Sequence, residues 1–253
     1  MSSVLLTDLS DHLALITGAT GGIGHATALA LGAMKCNIAV HYNANLEKAQ
    51  ELVSKLDSMG VRSEHFQADL SSYDDTRRLH KDVVDSLGQP SILFNNAGLT
   101  LGKSGVKDIS EISVEDFEKT WRCNCATSYL LTQLCMPAML EKEFGRIIFC
   151  SSVAGFAGGV VGPHYASSKS ALHGLVHWLA SAYAKKGITV NGVAPALITE
   201  TSMLPGTNET LSSKIPIGRL GKPEEIAETV VWMVKTAYVT NKVIAVDGGL
   251  FVQ

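Results

Sequence analysis

The sequence predicts an α/β fold: one doubly wound parallel sheet with helices on both faces, three layers in a single domain spanning residues 1–253. Three observations predict it. Short runs rich in β-branched and aliphatic residues alternate with longer helical patterns, as they do when every strand feeds a crossover helix. The runs are apolar almost throughout, as strands must be when helices cover both faces of the sheet. A glycine-rich turn joins the first run to the first helix.

In chain order, LALIT (13–17) is the first strand and ATALALGAMK its helix. NIAVHY (37–42) is followed by two helical stretches, LEKAQELVSKLDSMG and SYDDTRRLHKDVVDSLG. SILFN (91–95) leads into the long pattern VEDFEKTWRCNCATSYLLTQLCMPAML, and RIIFC (146–150) into PHYASSKSALHGLVHWLASAYAKKG. ITVNGVA (188–194), the helix PEEIAETVVWMVKT and a last strand, KVIAVDG (242–248), complete six strands read from the residues. Between Leu13 and Met34 no Asp, Glu, Lys or Arg occurs, but five glycines interrupt the stretch, so a buried strand and helix explain it better than a membrane span. There is no repeat, low-complexity tract or linker, hence no second domain.

Composition removes several function classes. With 46% hydrophobic and 18% charged residues in 253, the chain can bury a full core and disorder is excluded as its main state. Lys and Arg number 21 against 24 Asp and Glu, a net charge of −3 without the basic excess that a nucleic acid partner requires. The five cysteines (Cys36, Cys123, Cys125, Cys135, Cys150) are odd in number, form no C-x-x-C pair and have no nearby His to complete a metal set, so no metal is expected. Free thiols point to a reducing compartment, and MSSVLLTDLSDH has neither a basic n-region nor an early Arg, the first being Arg62. The expected location is cytoplasmic, with no membrane partner.

Two constellations carry chemistry. TGATGGIG sets Gly18, Gly22 and Gly24 ahead of a helix starting near Ile23. Glycines there let the backbone turn tightly and approach a pyrophosphate, while free N–H groups and the helix dipole favour the anion. An ordinary turn can look the same; the position between strand and helix, about twenty residues before the end of the second strand where a ribose is read, favours a dinucleotide. The second constellation is Tyr165-Ala-Ser-Ser-Lys169, preceded by Ser151 and Ser152. Pro163 suits a first helical turn and Gly187 a C′ cap, so Tyr165 and Lys169 fall at i and i+4 on one helix face. A phenol with a pKa near ~10 is a poor acid at neutral pH, but a neighbouring ammonium lowers that value and permits a proton relay.

To these are added Asp69 in QADLSS, NNAG at 95–98, Asn124, ITVNGVAP and the closing VDGG at 246–249. Together they resemble the classical short-chain dehydrogenase/reductase family over essentially the whole chain. Ser152 lies thirteen residues before Tyr165 and Asn124 twenty-eight before Ser152, spacings similar to those of the bacterial-type 3-oxoacyl-[acyl-carrier-protein] reductases. The resemblance implies a Rossmann-type domain with seven parallel strands, a homotetramer, and hydride transfer between a nicotinamide and a carbonyl or secondary alcohol.

Carried over residue by residue, the catalytic groups are Asn124, Ser152, Tyr165 and Lys169. Tyr165 is the proton donor, Ser152 holds the same oxygen, Lys169 serves both the phenol and the nicotinamide ribose, and Asn124 holds a water linking Lys169 to solvent. The cofactor residues are Gly18, Thr20, Gly22, Ile23 and Gly24 along the glycine turn, and Asp69 and Leu70 at the adenine. Asn96, Ala97 and Gly98 lie on the adenosine side, and Pro195, Ile198 and Thr199 at the carboxamide. An Asp or Glu at the end of the second strand would repel a 2′-phosphate. The segment His41-Tyr42-Asn43-Ala44-Asn45 has none, and Asn43 can donate hydrogen bonds, so NADP(H) is favoured over NAD(H).

Departures from the family pattern concern substrate. Pro195-Ala196 replaces the usual Pro-Gly, the Thr that follows is Thr199 or Thr201, the segment between Gly98 and Asn124 is longer, and the active-site lid, about 197–215, is shorter. Of two basic docking positions for acyl carrier protein near the active-site mouth, Lys186 matches one and Glu143 reverses the other. His164 is expected to bond solvent or backbone, His173, His177 and Trp178 to pack between subunits, and Ser151 and the cysteines flanking Asn124 to be structural. The leading function is an NADP(H)-dependent ketoreductase with a small-molecule carbonyl or alcohol substrate. The alternatives are an NAD(P)-dependent secondary-alcohol or sugar-alcohol dehydrogenase and, from another class, a non-catalytic dinucleotide-binding regulatory protein. The intact Ser, Tyr, Lys and Asn positions stand against the last.

Overall fold

The computed structural model describes residues 5–201, 203–204 and 209–251. Seven parallel strands form one sheet in the order β3-β2-β1-β4-β5-β6-β7. They are β1 (Leu13–Ile16), β2 (Asn37–Tyr42), β3 (Ser63–Gln67), β4 (Ile92–Asn95), β5 (Gly145–Cys150), β6 (Ile188–Pro195) and β7 (Lys242–Val246). Because β1 pairs with β2 on one side and β4 on the other, the winding reverses at β1, and the crevice beyond its C-terminal end is where such sheets bind ligands.

The helices are α1 (Gly22–Ala33), α2 (Leu46–Ser58), α3 (Tyr73–Leu87), α4 (Val114–Trp121), α5 (Thr127–Glu141), α6 (Ala154–Ala157), α7 (Pro163–Tyr183), α8 (Glu209–Ser212) and α9 (Pro223–Lys235). Side chains alternate across a strand, so each strand feeds two cores. Ala14 and Ile16 of β1 and Ile148 of β5 pack with Leu31 of α1, Leu52 of α2 and Val230 of α9. Leu13 and Leu15, with Ile147 and Phe149, pack on the other face with Leu79 of α3, Leu131 of α5 and Val176 of α7.

Two readings of the residues are corrected. Their six strands become seven, because SEHFQ of β3 is an edge strand with only Phe66 buried and therefore lacks an apolar pattern. The long pattern after β4 is two helices, α4 and α5, joined by a π turn over Arg122–Ala126. Among the described residues no helix is long and apolar enough to cross a membrane.

Candidate active site

At the end of β1 the chain turns through Gly18 at φ +62°, a conformation open to glycine. Gly24 in the first turn of α1 lies so close to the turn that a Cβ there would stand 2.4 Å from the Gly18 carbonyl oxygen. No side chain caps the first turn of α1, whose N-cap is Gly21. Uncapped N–H groups above a glycine cradle fit a pyrophosphate. Ile23 and Thr20 are half-buried along this turn.

The turn is braced from β4. Thr17 Oγ1 accepts hydrogen bonds from the backbone N–H groups of Asn96 (2.8 Å) and Ala97 (2.9 Å). The Asn96 amide donates to the carbonyls of Thr17 (2.9 Å) and Gly18 (3.2 Å), so this side chain supports the glycine turn from behind. Sequence reasoning missed Thr17; its signal was a Thr-Gly pair at a strand end.

At the adenosine end, Asn43 is exposed just past β2, and Gln67 Nε2 donates to its carbonyl at 3.1 Å. Asp69 follows β3 and Leu70 beside it is buried. The Ser71 backbone N–H and hydroxyl, both 2.8 Å from Asp69 Oδ1, hold the Asp69 carboxyl below the usual carboxylate range. The group is thus an ionised acceptor, matched to an amino donor such as that of adenine.

The catalytic candidates converge where β5, α7 and the loops after β4 and β6 meet. Pro163 begins α7, as its sequence position implies, and Tyr165 and Lys169 are both buried on it. Lys169 Nζ lies 5.6 Å from the Tyr165 ring centroid and donates to the Cys150 carbonyl at 2.7 Å. A Cβ on Gly98 would be 3.1 Å from that ammonium and 3.4 Å from Asn124 Oδ1, which places the NNAG turn against both. Ser152 Oγ accepts from the Ala154 N–H at 3.1 Å and donates to the Pro195 carbonyl across 3.4 Å, a long bond readily exchanged for one to a substrate oxygen.

Asn124 is fully buried in the π turn. Its Oδ1 accepts from the Leu99 N–H (2.8 Å), and its Nδ2 donates to the Leu99 carbonyl (3.1 Å) and to Ser168 Oγ (3.0 Å). The side chain therefore stitches the loop after β4 to α7. Trp121 Nε1 donates to Ser167 Oγ at 2.9 Å and adds a second stitch to α7. Sequence reasoning had no signal for Ser167 or Ser168 beyond their place inside YASSK.

The remaining polar groups are structural. Ser151 Oγ donates to the Lys169 carbonyl (3.1 Å), so the His173 Nε2–H must donate to Ser151 (2.8 Å); this is not a nucleophile with its base. His164 Nε2 donates to the Thr100 carbonyl at 3.2 Å, and its buried Nδ1 has no partner among the described residues. Burial pushes the Cys123 thiol up to about 11 and raises Cys125 and Cys150, which makes them poor nucleophiles. Among the described residues no group of three His, Cys, Asp or Glu is placed to hold a metal.

Past β6, Ile198 and Thr199 are buried, and the Thr199 N–H donates to the Gly221 carbonyl at 3.0 Å. Thr201 Oγ1 donates to the Ile198 carbonyl at 3.0 Å and accepts from the Leu204 N–H at 3.2 Å, closing a turn. Of the lid at 197–215, residues 202 and 205–208 lie outside the described residues. Glu143 and Lys186 immediately precede β5 and β6, whereas Ser152 and Ile198 follow them, so the two docking positions sit at the opposite end of these strands from their own chain's Ser152.

A family model described as short chain dehydrogenase matches residues 12–212. The oxidoreductase YmfI of Bacillus subtilis is 35% identical over 94% of this chain and 98% of its own length. A 3-oxoacyl-[acyl-carrier-protein] reductase of Synechocystis sp. is 33% identical over 97% of this chain and 99% of its own. An L-rhamnose 1-dehydrogenase (NADP(+)) of Thermoplasma acidophilum is 31% identical over 98% and 99%.

Proposed function

Since the chain belongs to the short-chain dehydrogenase/reductase family and is an NAD(P)-dependent oxidoreductase, we propose that it is an NADP(H)-dependent ketoreductase acting on small free carbonyl compounds. The observation that carries the cofactor choice is Asn43: exposed at the end of β2, it leaves the ribose position without a carboxylate. A 2′-phosphate meets no like charge there, and the Asn43 amide can donate to it. The NADP(+) in the rhamnose dehydrogenase's name agrees.

The nicotinamide, when bound, supplies or takes the hydride. For reduction, the Ser152 hydroxyl leaves the Pro195 carbonyl and hydrogen-bonds the substrate oxygen, fixing it beside Tyr165. Tyr165 gives its phenol proton to that oxygen as the oxygen gains charge. The Lys169 ammonium stabilises the phenolate that remains, and Asn124 keeps the surrounding loop and helix in register. Oxidation of an alcohol runs the same proton transfer in reverse.

The Glu143 carboxylate, at a docking position expected to be basic, supports free substrates over carrier-bound ones, because an acidic carrier surface would meet like charge there. The rhamnose dehydrogenase relative supports the alternative of a dehydrogenase acting on a sugar or another secondary alcohol, and a panel of ketones, 3-oxoacyl thioesters and sugars separates the two. A homotetramer and a reducing, cytoplasmic setting belong to the same reading, supported by exposed Phe117, Tyr129 and Trp178 on α4, α5 and α7 and by five buried free thiols. Calorimetry tests the cofactor: NADPH binds more tightly than NADH, and Asn43→Asp reverses the order by repelling the 2′-phosphate. Tighter NADH binding by the unaltered protein overturns this reading.

A further inference from the structure

We propose that His41 is a positioning residue for the dinucleotide: its buried ring, braced on the Ala68 carbonyl at the end of β3, holds the Gly18 N–H and so sets the glycine turn that the cofactor's pyrophosphate meets. The proposal rests on the glycine turn being the pyrophosphate site, as argued above.

His41 is 2% exposed, near the end of β2. Its Nδ1 is 2.9 Å from the Gly18 backbone nitrogen and its Nε2 3.1 Å from the Ala68 carbonyl oxygen. A backbone N–H can only donate and a carbonyl can only accept, so Nδ1 is the acceptor and Nε2 carries the hydrogen. The ring is therefore neutral and locked in one tautomer, and burial, which drives its pKa down to about 4, keeps it so. The backbone adds to this grip, since the Ala19 N–H donates to the His41 carbonyl at 2.9 Å.

Each anchored segment carries a different cofactor contact. Gly18 opens the turn that faces the pyrophosphate, Ala68 precedes Asp69 at the adenine position, and Asn43 at the ribose position lies two residues beyond His41 itself. The ring reaches none of the catalytic groups; its two hydrogen bonds go to Gly18 and Ala68. Losing it should weaken cofactor binding, equally for NADPH and NADH, and leave turnover with saturating cofactor alone.

Calorimetric affinities for NADPH and NADH, with kcat at saturating cofactor, test this in His41→Leu, His41→Asn and His41→Gln. An Asn oxygen can take the place of Nδ1 and keep the bond from Gly18, whereas Gln places its amide where Nε2 was, and Leu supplies neither. Leaving the Gly18 N–H unpaired weakens binding of both dinucleotides about tenfold or more in the Leu and Gln variants. The Asn variant stays within about threefold, and kcat in all three within about twofold. Unchanged affinity in Leu and Gln, equal losses in Asn and Gln, or a fall in kcat matching the fall in affinity overturns the proposal. If the Leu variant does not fold by circular dichroism, the contrast between Asn and Gln decides. An unaltered protein that prefers NADH would overturn the Asn43 reading and leave this one standing.

Discussion

Lys169 is a buried ammonium, 3% exposed, that belongs to none of the ion pairs found among the described residues. A group so placed is costly unless it is used, and its one carbonyl partner leaves two N–H donors for a phenolate and a ribose. Tyr165 has the complementary position, its ring beside the ammonium and its phenol the proton donor of the proposed reaction. The two roles separate experimentally. Tyr165→Phe keeps the ring and removes the proton, so kcat falls by about a thousandfold or more while NADPH affinity is unchanged. Lys169→Ala lowers kcat and also weakens NADPH about tenfold, because the same ammonium serves both. Steady-state kinetics paired with calorimetry checks both variants, and a Tyr165→Phe enzyme within about tenfold of the unaltered one would end the proton-donor role.

The turn between β1 and α1 joins strand, helix and loop at distances that leave no room for a side chain. Gly24→Ala would set a methyl 2.4 Å from the Gly18 carbonyl and 2.8 Å from Asn96 Nδ2, so α1 must shift away from the turn it completes. The expected outcome is a loss of NADPH affinity of about tenfold or more with a stability cost of about 1–3 kcal/mol, read by calorimetry and thermal unfolding; full affinity would mean that the turn accommodates a methyl. This element was legible in the sequence because glycine and helix start leave local marks. So were the buried strands β1, β2, β4, β5 and β6, whose apolar runs record burial on both faces, and the edge strand β7, whose apolar run is only partly buried. β3 was not, since an edge strand written SEHFQ is polar by position, and its pairing with β2 is a fact of tertiary structure. The break at Arg122–Ala126 was hidden for a similar reason: a π turn keeps helical composition, and what it achieves, burying Asn124 against Leu99 and Ser168, depends on segments far away in sequence. The site's reacting groups could be read from motif spacing, while Ser168, which bonds Asn124, and Thr17 and His41, which bond the glycine turn and its support, could not.

Across the whole molecule the histidines make stability depend on acid. Burial lowers His12, His25, His41, His80 and His173 from the ordinary value, and His41 goes furthest, to about 4. In the unfolded chain each takes up a proton near ~6.5, so between that value and the folded one the unfolded state binds more protons than the folded state. The stabilisation is complete above the unfolded value and is lost as pH falls through it toward the folded value. For His41 the window runs from ~6.5 to about 4, and at about 1.4 kcal/mol per pKa unit it amounts to about 3 kcal/mol. The half-exposed histidines act in the same direction by smaller amounts. Carboxylates held low, such as Glu225 at about 2 beside Arg219 and Asp69 beside Ser71, begin to lose their contribution only as pH falls into the ordinary carboxylate range. Between pH ~6.5 and ~4.5 the slope therefore belongs mainly to histidine. Urea unfolding over that range should show stability falling with pH in the unaltered protein, and His41→Asn, which cannot titrate, should fall by about 2–3 kcal/mol less. Parallel slopes in the two proteins would mean that His41 does not carry the acid sensitivity and that its ring takes up a proton as readily in the folded protein as in the unfolded chain.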